Sequence, residues 1–222
     1  FLLVTIDNPP TSTSFIDRFL ATTEAYSIKA VILFNKVDAN NASSNNTVKK
    51  LINLYEGIGY QCLSISAKTG ENIESVKSLM TSKSSMFAGH SGVGKSTLVN
   101  SIEPGLNIKT KEISDQHKQG QHTTTFAEMF DLSFDAQIID TPGIKGFGVV
   151  DMVPAELDNY FPELFALKQS CKFNNCLHLH EPNCAVKAAI EKNLVAASRY
   201  KSYKQILEGD DEHYRTDNYD SK

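Results

Sequence analysis

The sequence predicts an α/β domain, built on a mostly parallel sheet with helices on both faces, followed by a small helical module. Up to about residue 140, short apolar runs alternate with amphipathic helical patterns, which is typical of parallel sheets. A glycine-rich loop near residue 90 joins a strand pattern to a helix pattern. Beyond about residue 150 no strand pattern remains, and Cys and His residues cluster between helical stretches. We therefore expect two domains, residues 1–150 and 151–222.

Each element is predicted from the period of its apolar residues. Strands are predicted at 1–6, 30–34, 61–66 and 85–88, with a hairpin at 127–134 and 136–139. Helices are predicted at 11–26, 47–56, 71–80, 98–102, 153–167 and 184–207. Residues 40–47 are polar and predict a loop, residues 103–125 show no period, and the acidic tail 209–222 predicts a frayed end.

Composition excludes several classes of protein. The chain has 222 residues, 41% of them hydrophobic and 22% charged, which is enough apolar material for a globular core. The net charge of −4 excludes a surface that is basic overall, so any RNA contact must use a local patch. No run approaches the roughly 18 apolar residues of a membrane helix, and we expect no membrane partner. The chain starts on the apolar run Phe1–Ile6 without a Met, so we expect it to be part of a longer protein.

The glycine-rich loop matches the phosphate-binding pattern G-x-x-x-x-G-K-[ST]. Glycines there let backbone N–H groups converge on phosphate oxygens at a helix N-terminus. Lys95 is expected to neutralise the β and γ phosphates, and the Ser96 hydroxyl to bind Mg²⁺. The residues expected to bind nucleotide are Gly89, His90, Ser91, Gly92, Val93, Gly94, Lys95, Ser96 and the adjoining Thr97.

A second motif, D-T-P-G, follows the strand pattern that ends at Ile139. Asp140 would therefore lie at the carboxyl end of a strand, where a carboxylate can hold Mg²⁺ through water. The Gly143 N–H is expected to contact a γ-phosphate. The same four residues alone would predict a plain turn, but their position about 45 residues after a phosphate loop favours the catalytic interpretation.

Two further motifs predict that the base is guanine. In N-K-V-D, Asp38 can accept hydrogen bonds from the guanine N1–H and N2 amino groups, a donor pair that adenine lacks. Lys36 can cover the base plane with its aliphatic stem, and Asn35 begins the motif. The S-A-K motif also ends a strand pattern, and its Ala67 N–H can donate to guanine O6, with Ser66 and Lys68 beside it.

The order of these motifs predicts a circular permutation. Ordinary GTPases carry the phosphate loop first, then D-x-x-G, N-K-x-D and S-A-K. Here N-K-V-D and S-A-K come before the phosphate loop, and no second N-K-x-D follows Gly143. A permuted chain retains the same sheet and site when its new termini lie at the surface. We therefore expect a circularly permuted P-loop GTPase domain.

The chain resembles the family of ribosome small subunit-dependent GTPases, RsgA, also called YjeQ. The resemblance lies in the motif order, in G-Q-H-T-T-T at residues 120–125 and in the later Cys cluster, and it covers essentially the whole chain. It implies GTP hydrolysis stimulated by the small ribosomal subunit, acting late in maturation of that subunit. The implied partners are GTP, GDP, the small subunit and its rRNA, and we expect a cytoplasmic monomer. The family normally carries an N-terminal OB-fold, to which nothing in this sequence corresponds.

The resemblance also implies a catalytic residue. Many GTPases place a water-orienting Gln directly after D-x-x-G, but this chain has Ile144, which cannot orient water. His122 resembles the His given this role in the family, although a solvated loop His is the alternative. One of Thr123–Thr125 should reach Mg²⁺, and we favour Thr124. Gln121 stands where the family often has a basic residue, so no role is predicted for that position.

Three Cys and two His residues fall within residues 171–184. The spacing Cys171-x4-Cys176-x-His178-x5-Cys184 supplies three thiolates and one imidazole, a closed tetrahedral set suited to structural Zn²⁺. His180 is the competing imidazole, and the resemblance favours His178. Such clustering favours metal binding in a reducing compartment over disulfides. Cys62, on a predicted strand, is expected to be a small buried hydrophobe.

Two interpretations stay open. Ile144 leaves room for a GTP-dependent RNA- or protein-binding module with negligible turnover, instead of a hydrolase. The stretch R-Y-K-S-Y-K at residues 199–204 is compatible either with RNA contact or with an amphipathic helix that packs its tyrosines inward.

Overall fold

The computed structural model describes residues 1–106, 128–140 and 152–209, and these fall into two compact units. The first unit contains residues 1–11, 31–106 and 128–140. The second contains residues 12–30 and 152–209. One helix from early in the sequence therefore belongs to the same unit as the helices from its end.

Most predicted elements are present, with ends shifted by a few residues. Two predicted helices are wrong as single helices: the stretch 153–167 is divided into a 3-10 helix and an α-helix, and the stretch 184–207 is divided into two α-helices. The strands are β1 (Leu2–Val4), β2 (Val31–Phe34), β3 (Gln61–Ser64), β4 (Ser84–Ser85), β5 (Glu128–Asp131) and β6 (Gln137–Asp140). The α-helices are α1 (Thr13–Ala25), α2 (Ala42–Ile58), α3 (Ile73–Met80), α4 (Lys95–Ile102), α5 (Pro162–Lys168), α6 (Ala185–Glu191) and α7 (Ala197–Leu207). Two 3-10 helices cover Val37–Ala39 and Pro154–Tyr160. Across the described ranges, none of the helices has the length and apolar character needed to cross a membrane.

The strands of the first unit form two three-stranded sheets that meet edge to edge. β1, β2 and β3 are parallel, in that order. β4 is parallel to β6, and β6 is antiparallel to β5, which confirms the predicted hairpin. Leu3 N–H donates to Ala88 O and Ala88 N–H donates to Phe1 O, both at 2.8 Å, so the segment after β4 is bonded to β1. The predicted, mostly parallel sheet is confirmed.

The core of the first unit lies between this sheet and its helices. Fully buried side chains come from strands and helices alike: Leu3, Leu33, Ile65, Val76, Met80, Leu98 and Ile138. Burying a side chain of this kind stabilises the fold by about 1.5–3 kcal/mol. This packing fixes the carboxyl ends of the parallel strands, which is the edge where α/β sheets bind ligands.

The predicted loop at residues 40–47 is wrong, because α2 already begins at Ala42. Asn41 caps this helix, and its Oδ1 accepts from the Ser44 N–H at 2.9 Å. The Ser44 hydroxyl donates to Asp7 at 2.5 Å, which ties the first turn to the loop after β1. The Asn- and Ser-rich composition is thus compatible with a helix, since capping and tertiary contacts override a low helix propensity.

The second unit has its own apolar core. Ala21 of α1 lies in one buried cluster with Leu157, Phe161, Leu164, Val186 and Tyr203. Tyr203 stacks edge-on against Phe161, with ring centroids 5.5 Å apart. Tyr203 is fully buried and Tyr200 is half-buried, so the stretch 199–204 forms an amphipathic helix with inward-facing tyrosines, the second of the two interpretations.

A buried arginine links three helices inside this unit. Arg199 of α7 donates to Asp17 of α1 at 2.8 Å and to Glu163 of α5 at 2.7 Å, and its guanidinium lies 4.6 Å from the Phe161 ring centroid. The Ser202 hydroxyl adds a 2.5 Å bond to Asp17. Burial by itself lowers the pKa of Arg199, but the two carboxylates outweigh that effect and raise the pKa overall. The charge is thus fully compensated where it is buried.

We predict that Arg199→Met lowers the free energy of unfolding by about 3–5 kcal/mol. The substitution keeps part of the aliphatic stem but removes the guanidinium that is paired with the buried carboxylate of Asp17. Urea denaturation followed by circular dichroism measures the change. Lys201→Met is the matched control, because Lys201 is exposed on the same helix and should change stability by no more than about 0.5 kcal/mol. Equal stability of the two variants would contradict the role of the network.

Candidate functional site

The glycine-rich loop lies between β4 and α4, as the sequence predicts. Gly94 caps α4 with a φ of 100°, and a Cβ there would come within 2.5 Å of Asn35 Nδ2. At Gly89 a Cβ would come within 2.7 Å of Leu3 O. Both positions therefore require glycine, and the close approach they permit brings the loop against β1 and against N-K-V-D.

Lys95 lies over this loop. Its Nζ donates to the carbonyl oxygens of Gly89 at 2.5 Å and His90 at 2.8 Å. Partial burial lowers the pKa of Lys95. Ser96 and Thr97, in the first turn of α4, are exposed, as is Ser91, whereas Val93 is buried beneath the loop. The loop thus combines an ammonium group, a helix N-terminus and exposed hydroxyl residues, a set of groups that suits an anion.

Asn35 joins three of the predicted motifs. Its Nδ2 donates to Val93 O of the phosphate loop at 2.8 Å, and its Oδ1 accepts from the Ala67 N–H of S-A-K at 3.0 Å. The side chain is 3% exposed, so both bonds are shielded from water. The sequence predicts Asn35 as a nucleotide-binding residue. In the structure its side chain also holds N-K-V-D, S-A-K and the phosphate loop in fixed positions relative to one another.

The two polar residues of the base motifs contact each other. The Ser66 hydroxyl donates to Asp38 Oδ1 at 2.6 Å and accepts from the Thr69 N–H at 3.1 Å. Asp38 itself is exposed, in the 3-10 turn directly after β2, and Lys68 is exposed after β3. Ser66 thus fixes one carboxylate oxygen of Asp38, which turns the carboxylate into a defined orientation.

Lys36 connects the base motif to a loop that carries none of the predicted motifs. Its Nζ donates to Gly92 O at 2.7 Å and to Asn8 O at 2.6 Å. Asn8 belongs to residues 5–11, between β1 and α1, where Thr5 and Thr11 bond each other. The sequence feature that could have predicted this loop as part of the site is its position after a parallel strand, at the sheet edge where the other motifs lie.

Several predicted residues lie outside the described residues. His122, Thr124 and Gly143 belong to this group, together with Ile144. Asp140 is the last residue of β6, so its backbone lies at the carboxyl end of the strand next to β4, as predicted.

The four predicted metal ligands come together in the second unit. Their ligand atoms, from Cys171, Cys176, His178 and Cys184, all lie within 4.8 Å of one another. His178 Nδ1 is 3.3 Å from Cys184 Sγ and 3.7 Å from Cys171 Sγ. His180, the competing imidazole, is exposed. The four cysteines of the chain are all free thiols, and Cys62 is buried, as predicted.

The thiols of this cluster favour a cation as their common partner. Burial raises the pKa of Cys176 to about 12 and also raises that of Cys184, and the neighbouring Cys171 thiol adds to both shifts. A bound cation reverses this effect, because thiolates are stabilised when they share a positive charge. Three sulfurs and one imidazole nitrogen at these distances fit a tetrahedral metal site.

Helix α7 and an acidic side chain hold the backbone of this metal loop. The Tyr200 hydroxyl donates to His178 O at 2.6 Å, and the Tyr203 hydroxyl donates to Leu177 O at 3.1 Å. Glu181 accepts from the N–H groups of Leu177 and Leu179, both at 2.8 Å. These bonds satisfy the backbone around His178, whose φ of 60° lies in the left-handed region.

Comparison with known proteins finds a family that matches this chain. A family model described as RsgA GTPase matches residues 1–150. Over 219 residues the chain is 64% identical to the small ribosomal subunit biogenesis GTPase RsgA of Flavobacterium johnsoniae and 62% identical to that of Christiangramia forsetii. These alignments cover 99% of this chain and 67% and 70% of the relatives. The chain thus spans about two thirds of the length of these relatives.

Two solved structures are similar as well. The crystal structure of YjeQ from Thermotoga maritima has a TM-score of 0.81 and 36% identity, covering 94% of this chain and 69% of that one. The structure of YloQ, described as a circularly permuted GTPase, has a TM-score of 0.76 and 31% identity, covering 94% of this chain and 66% of that one. These similarities confirm the predicted permuted α/β GTPase fold.

We predict that Asn35→Asp lowers the free energy of unfolding by about 1–3 kcal/mol at neutral pH. The carboxylate still accepts from the Ala67 N–H but cannot donate to Val93 O, which leaves that buried carbonyl without its donor. Urea denaturation monitored by tyrosine fluorescence provides the measurement. Asn53→Asp, an identical change at an exposed position of α2, should leave stability nearly unaltered. If both variants unfold at the wild-type urea concentration, the two hydrogen bonds of Asn35 do not stabilise the fold.

Proposed function

The chain belongs to the RsgA GTPase family, and we propose that it couples hydrolysis of GTP to late maturation of the small ribosomal subunit. The description of the relatives as small ribosomal subunit biogenesis GTPases supports the partner. The single observation that carries the nucleotide part is the pair of bonds made by Asn35, which brings the phosphate loop and both base motifs into one frame.

Guanine recognition is assigned to Asp38, Lys36 and Ala67. The carboxylate of Asp38, oriented by Ser66, would accept from the guanine N1–H and N2 amino groups. The stem of Lys36 would cover the base, since its Nζ is held by carbonyls of two loops. The Ala67 N–H is shared with Asn35 at 3.0 Å, so its bond to guanine O6 would be a bifurcated one.

Phosphate binding is assigned to the loop Gly89–Ser96 and Thr97. The N–H groups of the loop and the Lys95 ammonium would surround the β and γ phosphates. Oxygen ligands for Mg²⁺ would come from Ser96, Thr124 and Asp140, and this donor set suits a hard cation. Mg²⁺ would neutralise charge on the β and γ oxygens. Gly143 would contact the γ-phosphate through its N–H.

Catalysis is assigned to His122. Because Ile144 stands where many GTPases have Gln, orientation of the attacking water needs another polar group. An imidazole next to the threonine run can accept a hydrogen bond from water and align it with the γ-phosphate. The same Ile144 favours a second candidate function, which is nucleotide-dependent binding with negligible turnover. Measurement of phosphate release with and without small ribosomal subunits distinguishes the two functions.

The metal cluster is assigned to one structural Zn²⁺. Three thiolates and one imidazole close the tetrahedral shell, so no position is left for a reacting water. When bound, Zn²⁺ would contribute folding energy to a unit with a small core of its own. Cys171, Cys176, His178 and Cys184 would be its ligands.

Different parts of the chain are assigned different roles. Residues 1–150 would carry GTPase activity, which the matched range supports, and residues 151–222 would carry the metal module. The small subunit and its rRNA would be the macromolecular partners of a cytoplasmic monomer, since subunit maturation takes place in the cytoplasm of bacteria. α1 lies within residues 1–150 of the sequence but packs in the same unit as the proposed metal module.

The proposed activity is tested by multiple-turnover release of inorganic phosphate from GTP, with and without small ribosomal subunits. We expect slow turnover alone and a large increase with subunits. GTP-dependent binding to subunits without increased phosphate release would instead favour the binding-module function. The protein used should be full length, because this chain spans about two thirds of its relatives.

We predict that Asp38→Asn weakens GTP and GDP binding roughly 30- to 1,000-fold. The amide replaces one acceptor by a donor that opposes the guanine N–H groups, whereas xanthine offers an oxygen at that place. The variant should therefore bind xanthine nucleotides better than wild type does. Calorimetric titration measures both affinities, and Asp131→Asn, at an exposed position on β5, is the matched control. Unchanged GDP affinity in Asp38→Asn would reject the base site.

We predict that His122→Ala slows subunit-stimulated GTP hydrolysis roughly 10- to 1,000-fold and leaves GTP affinity nearly unchanged. A group that acts only on the transition state contributes to turnover and not to ground-state binding. Phosphate release at saturating subunits gives the rate, and His180→Ala in the same full-length protein is the control for an exposed histidine. A wild-type rate in His122→Ala would transfer the water-positioning role to a ribosomal group or to another residue.

A further inference from the structure

We propose that Asp158 is a positioning residue of the metal cluster, which orients His178 from the side opposite the thiols. This inference rests on the proposed zinc site. Asp158 lies in the 3-10 helix Pro154–Tyr160, 13 residues before the first ligand in sequence, and belongs to none of the predicted motifs. Its Oδ2 lies 3.4 Å from His178 Nε2.

The two ring nitrogens of His178 face chemically different groups. Nδ1 faces the sulfurs of Cys184 and Cys171, at 3.3 and 3.7 Å, and Nε2 faces the carboxylate of Asp158. An ionised carboxylate can only accept a hydrogen bond, so the proton of a neutral imidazole belongs on Nε2. Nδ1 then carries the lone pair, directed at the thiols, which is the form that binds a metal.

Burial of both side chains strengthens the preference for this tautomer of His178. His178 is fully buried and Asp158 is 6% exposed, so water does not replace either partner. Inside the protein an unsatisfied N–H or carboxylate oxygen costs more than it does at the surface. The contact therefore selects both the tautomer and the ring orientation before a metal is bound.

Lys168 balances the charge of Asp158. Its Nζ lies 3.1 Å from Asp158 Oδ1, the carboxylate oxygen that does not face His178, and also donates to Asn159 Oδ1 at 2.6 Å. One carboxylate thus bridges an ammonium group of α5 and the imidazole of the cluster. The ion pair with Lys168 supplies a structural reason for Asp158 to be buried, so the test has to separate the two contacts.

The test compares zinc affinity among variants of the whole chain, measured by competition with a chromophoric chelator. We expect Asp158→Ala to raise the zinc dissociation constant about 10- to 100-fold, the usual effect of removing a partner of a metal-bound histidine. Asp158→Asn should lie between Ala and wild type, because its amide oxygen still accepts from Nε2–H without the charge. Glu156→Ala, exposed in the same 3-10 helix, should bind zinc as wild type does.

Lys168→Met separates the two contacts, since it removes the ion pair and keeps the carboxylate beside His178. We expect it to weaken zinc binding less than Asp158→Asn does. Co²⁺ loaded in place of zinc gives a second readout, because its d–d bands depend on ligand orientation. These bands should shift in Asp158→Asn and Asp158→Ala and stay at their wild-type positions in Lys168→Met.

Two results would overturn the inference. One is wild-type zinc affinity and an unshifted cobalt spectrum in Asp158→Asn, even if its thermal stability falls. The other is an equal loss of affinity in Lys168→Met and Asp158→Asn, which would assign the effect to the ion pair alone. Failure of the proposed zinc site is a different result, because elemental analysis of the wild-type protein would then find no zinc.

Discussion

Two main-chain hydrogen bonds join the sheet on which the proposed nucleotide site is built. The Leu3 N–H donates to Ala88 O and the Ala88 N–H donates to Phe1 O, and so β1 joins the two half-sheets, which come from different parts of the sequence. The phosphate loop starts at the next residue, Gly89, whose Cα lies so close to Leu3 that a side chain would collide. The permutation changes the order of the strands along the chain, and these bonds bring the start of the phosphate loop next to β1, at the edge where the motifs after β2 and β3 lie.

Much of this fold was predictable because hydrophobic period and topology act together. Short apolar runs separated by helical patterns permit few arrangements other than a parallel sheet, and the structure agrees on strands and helices. The start of α2 was not predictable from composition, because Asn41 and Ser44 look like loop residues until the cap and the bond to Asp7 are known. Strand ends were also predicted too long, since β4 pairs over only two residues before the chain turns toward β1.

The residues proposed to carry the chemistry were easier to identify than the contacts that hold them. Binding of phosphate, guanine or a metal requires particular residue types at fixed spacing, so Lys95, Asp38 and Cys176 stand out in the sequence as candidates. Their supports carry no such signature. Asn8 contributes only a backbone carbonyl to Lys36, which any residue can offer, and Asp158 is one acid among many until the fold brings it next to His178. Supporting contacts depend on tertiary position, which a single sequence does not encode as a local pattern.

The division of the chain by sequence therefore differs from its division by packing. The family match ends at residue 150, yet α1 buries Ala21 in the core of the second unit, and its Asp17 is paired there with Arg199. A chain cut at residue 150 would remove the Arg199 guanidinium from Asp17 and the core against which the apolar face of α1 packs. α1 in turn follows residues 5–11, the loop whose Asn8 carbonyl is bonded by Lys36 of the base motif. The helix that completes the unit with the Cys and His cluster is thus continuous, along the backbone, with the loop that Lys36 of N-K-V-D contacts.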